Sequence, residues 1–179
     1  MKWLDRQIDN FIRYVRDSGR FKRIPIGPGG AADPTYWRYF VIPRNRFLNI
    51  YLHRFLKDDE EDLHDHRMLN ITCILQGSYF EERFAWRPCE GYPLPSTKLI
   101  PVEQRRLFAR LPTTPHLVVL KRDSDNRSIP IWSLFIGFPQ IRTWGFWVRD
   151  SDGLALWLPY TAIVADADPT SDGYGMPKA

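Results

Sequence analysis

The chain carries only four histidines, His53, His64, His66 and His116. Two of them stand one residue apart in the stretch DLHDHRMLNITCILQGSYFEE, residues 62–82, directly ahead of an apolar run that ends in Gly77. On an extended chain, side chains alternate faces, so His64 and His66 point one way and Asp65 the other. Two imidazoles a few ångströms apart on one face match the bite of a transition metal. Imidazole sites suit iron, copper, nickel and zinc. Taken alone, the pair also fits two surface or hydrogen-bonded histidines.

Other residues have chemistry to offer. Arg38, in YWR (residues 36–38), carries a guanidinium fork that matches a carboxylate or phosphate; an ordinary strand arginine is the alternative. His53 shares a strand with Arg54, where it is either a pocket residue or a structural histidine. The acidic run Asp58–Asp62 lacks the spaced ligands and central glycine of a calcium loop and reads as a solvated loop. Trp144, Phe146 and Trp147, in RTWGFW, could stack a ring or serve as lid or core. Cys73 and Cys89 form neither a CxxC pair nor a disulfide framework. Nucleotide-binding glycine loops, nucleophile elbows and paired carboxylates do not stand out.

The elements that must position these groups are mostly strands. Trp3, Leu4, Ile8, Phe11, Ile12 and Val15 recur at helical spacing and predict an amphipathic helix over residues 2–18. The breaker cluster GPGGAADP, residues 27–34, ends that region. Beyond it, TYWRYFVI, FLNIYLHRFL, MLNITCIL, SYFEERFAW, RRLFARL, HLVVLKR and IPIWSLFIGF read as short strands, and residues 87–101 as a polar, proline-rich excursion. Many short strands at close spacing predict an all-β sandwich or barrel. The expected layout is an N-terminal helix region over 1–26, a barrel over 35–160 and a polar tail over 161–179.

The totals agree with one domain. The chain has 179 residues, enough to bury a core without staples, and seven Trp, eight Tyr and eleven Phe favour a pleated fold. The net charge is +4, and the arginines are scattered as on a solvated surface rather than gathered into a nucleic-acid footprint. The sequence shows neither a membrane-length apolar segment nor a signal peptide, so a cytoplasmic protein with free thiols is expected.

The pattern HDHRMLNITCILQG resembles the first motif of the cupin superfamily: HxH, three or four residues, Glu, six residues, Gly. Here Asn70 stands where the family has glutamate, and Gly77 follows at the family spacing. LPTTPHLVVL loosely resembles the second motif, with Pro112 and Pro115 ahead of His116 and the usual glycine missing. The resemblance implies that His64, His66 and His116 hold one metal, with Asn70 beside it or reaching it through water. Within the superfamily, HDH, ILQG, EERFAW (residues 81–86) and YWR upstream are similar to the thiol dioxygenases, such as cysteine dioxygenase. Those enzymes hold Fe(II) with three histidines and grip the substrate carboxylate with the arginine of YxR. That likeness runs from Tyr36 to Phe138 and places substrate on Arg38, with Tyr36 and His53 as further substrate-binding candidates. LHRFL, LHDH and WGFW also resemble a group of uncharacterised bacterial and phage cupins.

The chain departs from the thiol dioxygenases at a late strand. Their SxHxY, which serves the oxygen chemistry, corresponds to SLFIG, with Phe135 and Gly137 in place of His and Tyr. Cys73 lies an odd number of residues from Asn70 and so faces away from the site, as a buried small hydrophobe. The resemblance implies a single-domain cupin, an antiparallel barrel with a divalent metal inside. Fe(II) is favoured, with manganese, nickel, copper and zinc as alternatives. It implies a dioxygenase-like oxidoreductase acting on a small anionic substrate. The alternatives are a non-catalytic metal or ligand binder, or an isomerase, lyase or hydrolase. Cupins often dimerise, so a homodimer is open.

Overall fold

The computed structural model describes residues 2–59 and 62–164. Helix α1 (Lys2–Asp17) is followed by β1 (Arg23–Ile26), β2 (Tyr36–Phe40), β3 (Asn49–Phe55), β4 (Asn70–Gln76), β5 (Tyr79–Phe84) and β6 (Thr97–Val102). Then come β7 (Leu107–Arg110), β8 (Leu117–Leu120), β9 (Ile131–Gly137), β10 (Gly145–Arg149), β11 (Ala155–Pro159) and the short α2 (Tyr160–Val164). The polar tail expected over 161–179 falls, from residue 165 onward, outside the described residues. Among the described residues no helix is long and apolar enough to cross a membrane.

The strands form a six-stranded sheet of order β1-β2-β3-β9-β4-β7, a three-stranded sheet of order β6-β5-β8, and the hairpin β10-β11. All pairings are antiparallel. The large sheet is sided by the two-residue period of its strands. One face carries Tyr39, Leu52, Leu75 and Trp132, which cluster with Ile12 and Val15 of α1. The helix therefore buries its apolar stripe on the outside of this sheet, as its spacing requires. The other face presents Ile74 and Ile131, which close against Tyr79, Val102, Val118 and Leu120 around the smaller sheet. Gly77 turns β4 into β5 with φ of 80°, a left-handed conformation that favours glycine.

The sequence reading needs several corrections. The excursion over 87–101 ends in a strand, β6, which pairs with β5 through Pro101↔Phe80. Proline is tolerated there because β6 is an edge. The same reason admits Pro25 to β1, the edge of the large sheet, so residues 23–26 join the sheet rather than the helix. HDH is not part of a ladder. Among the described residues, His64 makes only isolated antiparallel bridges, to His116 and Phe146. The acidic run is not simply solvated: Asp58 and Asp59 accept hydrogen bonds from the backbone of Leu120 (2.7 Å) and Val118 (2.9 Å), which ties the loop to β8.

Candidate metal centre

The two segments that carry the histidines are zipped together. His116 N donates to the carbonyl of His64 at 3.0 Å, and His66 N donates to that of Pro112 at 2.9 Å. The imidazoles of His64, His66 and His116 face one another, with one ligand nitrogen from each lying within 4.8 Å of the others. The Nε2 atoms of His66 and His116 are 3.3 Å apart. Two nitrogens each about 2.1 Å from one ion, at an angle of about 90–110°, lie roughly 3.0–3.4 Å apart, so this spacing fits shared coordination. His116 Nδ1 faces the carbonyl of Thr114 at 3.3 Å. A proton on Nδ1 satisfies that carbonyl and leaves the Nε2 lone pair for the centre. His64 Nδ1 is buried with no hydrogen-bond partner among the described residues.

Electrostatics favour ligands over cations. Burial, followed by the nearness of His64 and of the Arg110 charge, holds His66 well below the usual imidazole range. Burial, followed by Arg110 and His66, does the same for His116. His64 is lowered too, chiefly by burial, although Asp59 pulls it upward. All three are thus neutral donors near pH 7, the form that binds a metal.

The histidines open onto a cavity of about 200 Å³ that Tyr36, Arg38 and His53 also line. Arg38 Nε donates to His53 Nε2 at 3.1 Å and Nη2 donates to the Tyr36 hydroxyl at 2.8 Å. Its guanidinium also lies over the Tyr51 ring, 4.9 Å from the centroid. Burial, then the charge of Arg38, keeps His53 well below its ordinary range, so it accepts this bond as a neutral ring. All the residues singled out as substrate-binding candidates thus sit together on the wall formed by β2 and β3.

Asn70 lies on the inward face of β4 with Thr72 and Ile74 and is fully buried. Its Oδ1 accepts from Arg110 Nη1 at 3.3 Å. A guanidinium only donates, so the amide oxygen must face Arg110. Asn70 Nδ2 is buried without a partner among the described residues. Arg110 is in turn fixed by Glu81, Nε to Oε1 at 3.1 Å and Nη2 to Oε2 at 2.9 Å. Burial alone would raise the Glu81 carboxyl; Arg110 and Arg83 outweigh it and hold the carboxyl below its usual value.

Sequence reasoning missed Arg110, Arg67, Arg44 and Asp59, all of which line the cavity. Strict alternation would turn Arg67 away from His66, but the chain bends at residues 67 and 68 and releases that constraint. Burial, then Arg44 and Arg38, lowers Arg67, which shows three guanidinium groups within electrostatic reach of one another. Burial pushes the Asp59 carboxyl up, against the pull of His64. Trp144 lines the cavity and stacks on Tyr160 with ring centroids 4.5 Å apart. Phe135 presents a hydrocarbon ring 5.5 Å from that of His53. Cys73 packs on the helix side, and burial raises its thiol.

No protein-family model matches the chain, and no curated protein matches its sequence. Solved structures do match. A sugar phosphate isomerase from a cupin superfamily, from Silicibacter pomeroyi, is 12% identical over 80% of this chain and 91% of that one, with a TM-score of 0.50. An Fe(II) form of HppE with an alternative substrate is 10% identical over 69% of this chain, with a TM-score of 0.50. An RmlC-like cupin from Ralstonia eutropha is 14% identical over 83% of this chain and 80% of that one, with a TM-score of 0.45. The match spans 59% of the HppE chain. At these identities the likeness establishes architecture: the chain has the cupin fold.

Proposed function

We propose that His64, His66 and His116 hold one divalent transition metal, and that the cavity beside them receives a small anionic molecule. The observation that carries this reading is the convergence of three neutral imidazoles at 4.8 Å or less in a cavity they share with Arg38. When bound, Fe(II) with three neutral protein ligands supplies open positions for an organic substrate and dioxygen, the basis of dioxygenase chemistry. Iron is the favoured metal, ahead of manganese, nickel, copper and zinc, and the compartment that suits it and the free thiols is the cytoplasm.

The chain's own residues divide the remaining work. Tyr36 and His53 hold Arg38 so that its unused N–H groups can receive a carboxylate or phosphate. Arg44 and Arg67 add positive potential to the same cavity. Phe135 and Trp144 cover it with aromatic surface and limit water. A cavity of about 200 Å³ suits a small-molecule ligand.

A second reading is a protein that binds its ligand without turnover. Phe135 favours it, because a phenyl ring beside His53 cannot carry a proton. Elemental analysis of protein purified without added metal, followed by oxygen-uptake assays with small carboxylates and phosphates, separates the two. Bound iron with uptake supports the enzyme. Bound metal with ligand affinity and no uptake leaves the binding protein. Absence of any metal after exposure to Fe(II) or Co(II) removes the metal centre and with it the dioxygenase reading.

A further inference from the structure

Arg142 and Gly145 take no part in the chemistry above, yet they grip the strip between two of the histidines. Asp65 turns away from the cavity and is 2% exposed. Its carboxylate accepts from Arg142 Nη1 at 2.5 Å, Gly145 N at 3.0 Å and Trp157 Nε1 at 3.1 Å. The same Arg142 nitrogen donates to the carbonyls of His66 at 3.4 Å and Pro112 at 3.3 Å. The backbone adds Asp65 N to Gly145 O at 3.0 Å and Trp147 N to Leu63 O at 2.9 Å. A side chain at residue 145 would run into the carbonyl of Leu158, so glycine is what lets β10 keep its place between β11 and Asp65.

We propose that Asp65 and Arg142 are positioning residues that set the coordination geometry of the three histidines, clamping their two chain segments from behind. This rests on reading the histidines as a metal site. His64 and His66 come from one segment, and His116 follows the turn at Pro112 on the other. One guanidinium nitrogen touches carbonyls of both, so the spacing of the segments depends on where that nitrogen sits. Asp65 fixes it with a buried counter-charge, and the indole of Trp157 and the amide of Gly145 fix Asp65. The outer hairpin β10-β11 thereby braces the metal ligands from behind: Phe146 bridges to His64, and Gly145 and Trp157 hold Asp65.

The test uses the full chain titrated with Co(II) and read by visible absorption, whose ligand-field bands report coordination geometry. Asp65→Asn keeps the shape and removes the charge; Arg142→Met removes the bridging donor; Arg142→Lys restores a single nitrogen able to donate to the same acceptors. Asp65→Asn and Arg142→Met should bind Co(II) about 10–100-fold more weakly, with shifted bands. Arg142→Lys should recover part of both. A purely structural role would lower thermal stability and leave the bands of the loaded protein unchanged. Should Asp65→Asn fail to fold, the Arg142 pair decides. Wild-type protein that takes up no Co(II) overturns the metal reading itself. Wild-type binding together with unaltered affinity and bands in Arg142→Met and Asp65→Asn overturns the clamp alone.

Discussion

His66 and His116 are fifty positions apart in the chain, yet their Nε2 atoms lie 3.3 Å apart. With both rings in the Nδ1–H form, the two Nε2 lone pairs face each other and gain little; a shared cation turns the same contact into an attraction. The hydrogen bond from His66 N to the Pro112 carbonyl holds the segments in that relation from the backbone, before any ligand binds.

Single replacement of His64, His66 or His116 by alanine should therefore strip the metal. Each variant is expected to retain less than about a tenth of the wild-type metal content after desalting, since loss of a direct ligand costs more than loss of a supporting group. Plasma emission analysis of the purified proteins measures it. Full occupancy in His116→Ala would exclude that residue from the centre.

Arg38→Lys should weaken binding of small carboxylates and phosphates by about tenfold or more, although the charge is kept. Lysine cannot present a planar fork, and it cannot serve His53 and Tyr36 while also meeting a ligand. Calorimetric titration of the metal-loaded protein reads the effect. Unchanged affinity would remove Arg38 from ligand recognition.

Glu81→Gln should cost about 3–5 kcal/mol, because Arg110 is left as an uncompensated buried charge. The pH dependence has a definite sign. The folded Glu81 carboxyl sits below its ordinary value, so its stabilisation is fully present above the unfolded value of about 4.3 and is lost as pH falls through the folded one. Thermal melts across the acid range should show a steep decline in wild type and a flatter one in Glu81→Gln. Parallel curves would mean that the ion pair does not contribute.

Ile12→Ala should destabilise the chain by about 2–4 kcal/mol, since Ile12 is 3% exposed against the outer face of the large sheet. Metal content should not change, because the cavity lies on the other face. Loss of metal in folded Ile12→Ala would show that the helix reaches the centre through the sheet.

What could be read from the sequence was local. HxH, the interval to Gly77 and the two-residue period of YWR and LHRFL need only a short window. Arg110 could not be read that way. Its importance depends on β7 pairing with β4 so that it stands opposite Asn70, and on β5 bringing Glu81 across; neither register is encoded in RRLFARL. Asp59 was hidden in an acidic run whose composition resembles a solvated loop, while its tie to Val118 is long-range. Pro25 and Pro101 disguised two strands because proline argues against a central strand and says little about an edge. GFWVR and ALWLP were read as aromatic lid or passed over, being too short to show a period.

The sidedness of the large sheet has a practical reach for protein engineering. Along β3, Leu52 belongs to the helix-side cluster while Tyr51, His53 and Phe55 line the cavity. Along β2, Tyr39 belongs to the helix side while Tyr36 and Arg38 line the cavity. Foldability and ligand choice are thus written on interleaved positions of the same strands. A saturation library confined to positions 36, 38, 51 and 53 would vary the cavity wall and leave the helix-side cluster intact. One placed a single residue out of phase would fall on Trp37, Tyr39 and Leu52, which pack on the helix side, and should cost stability.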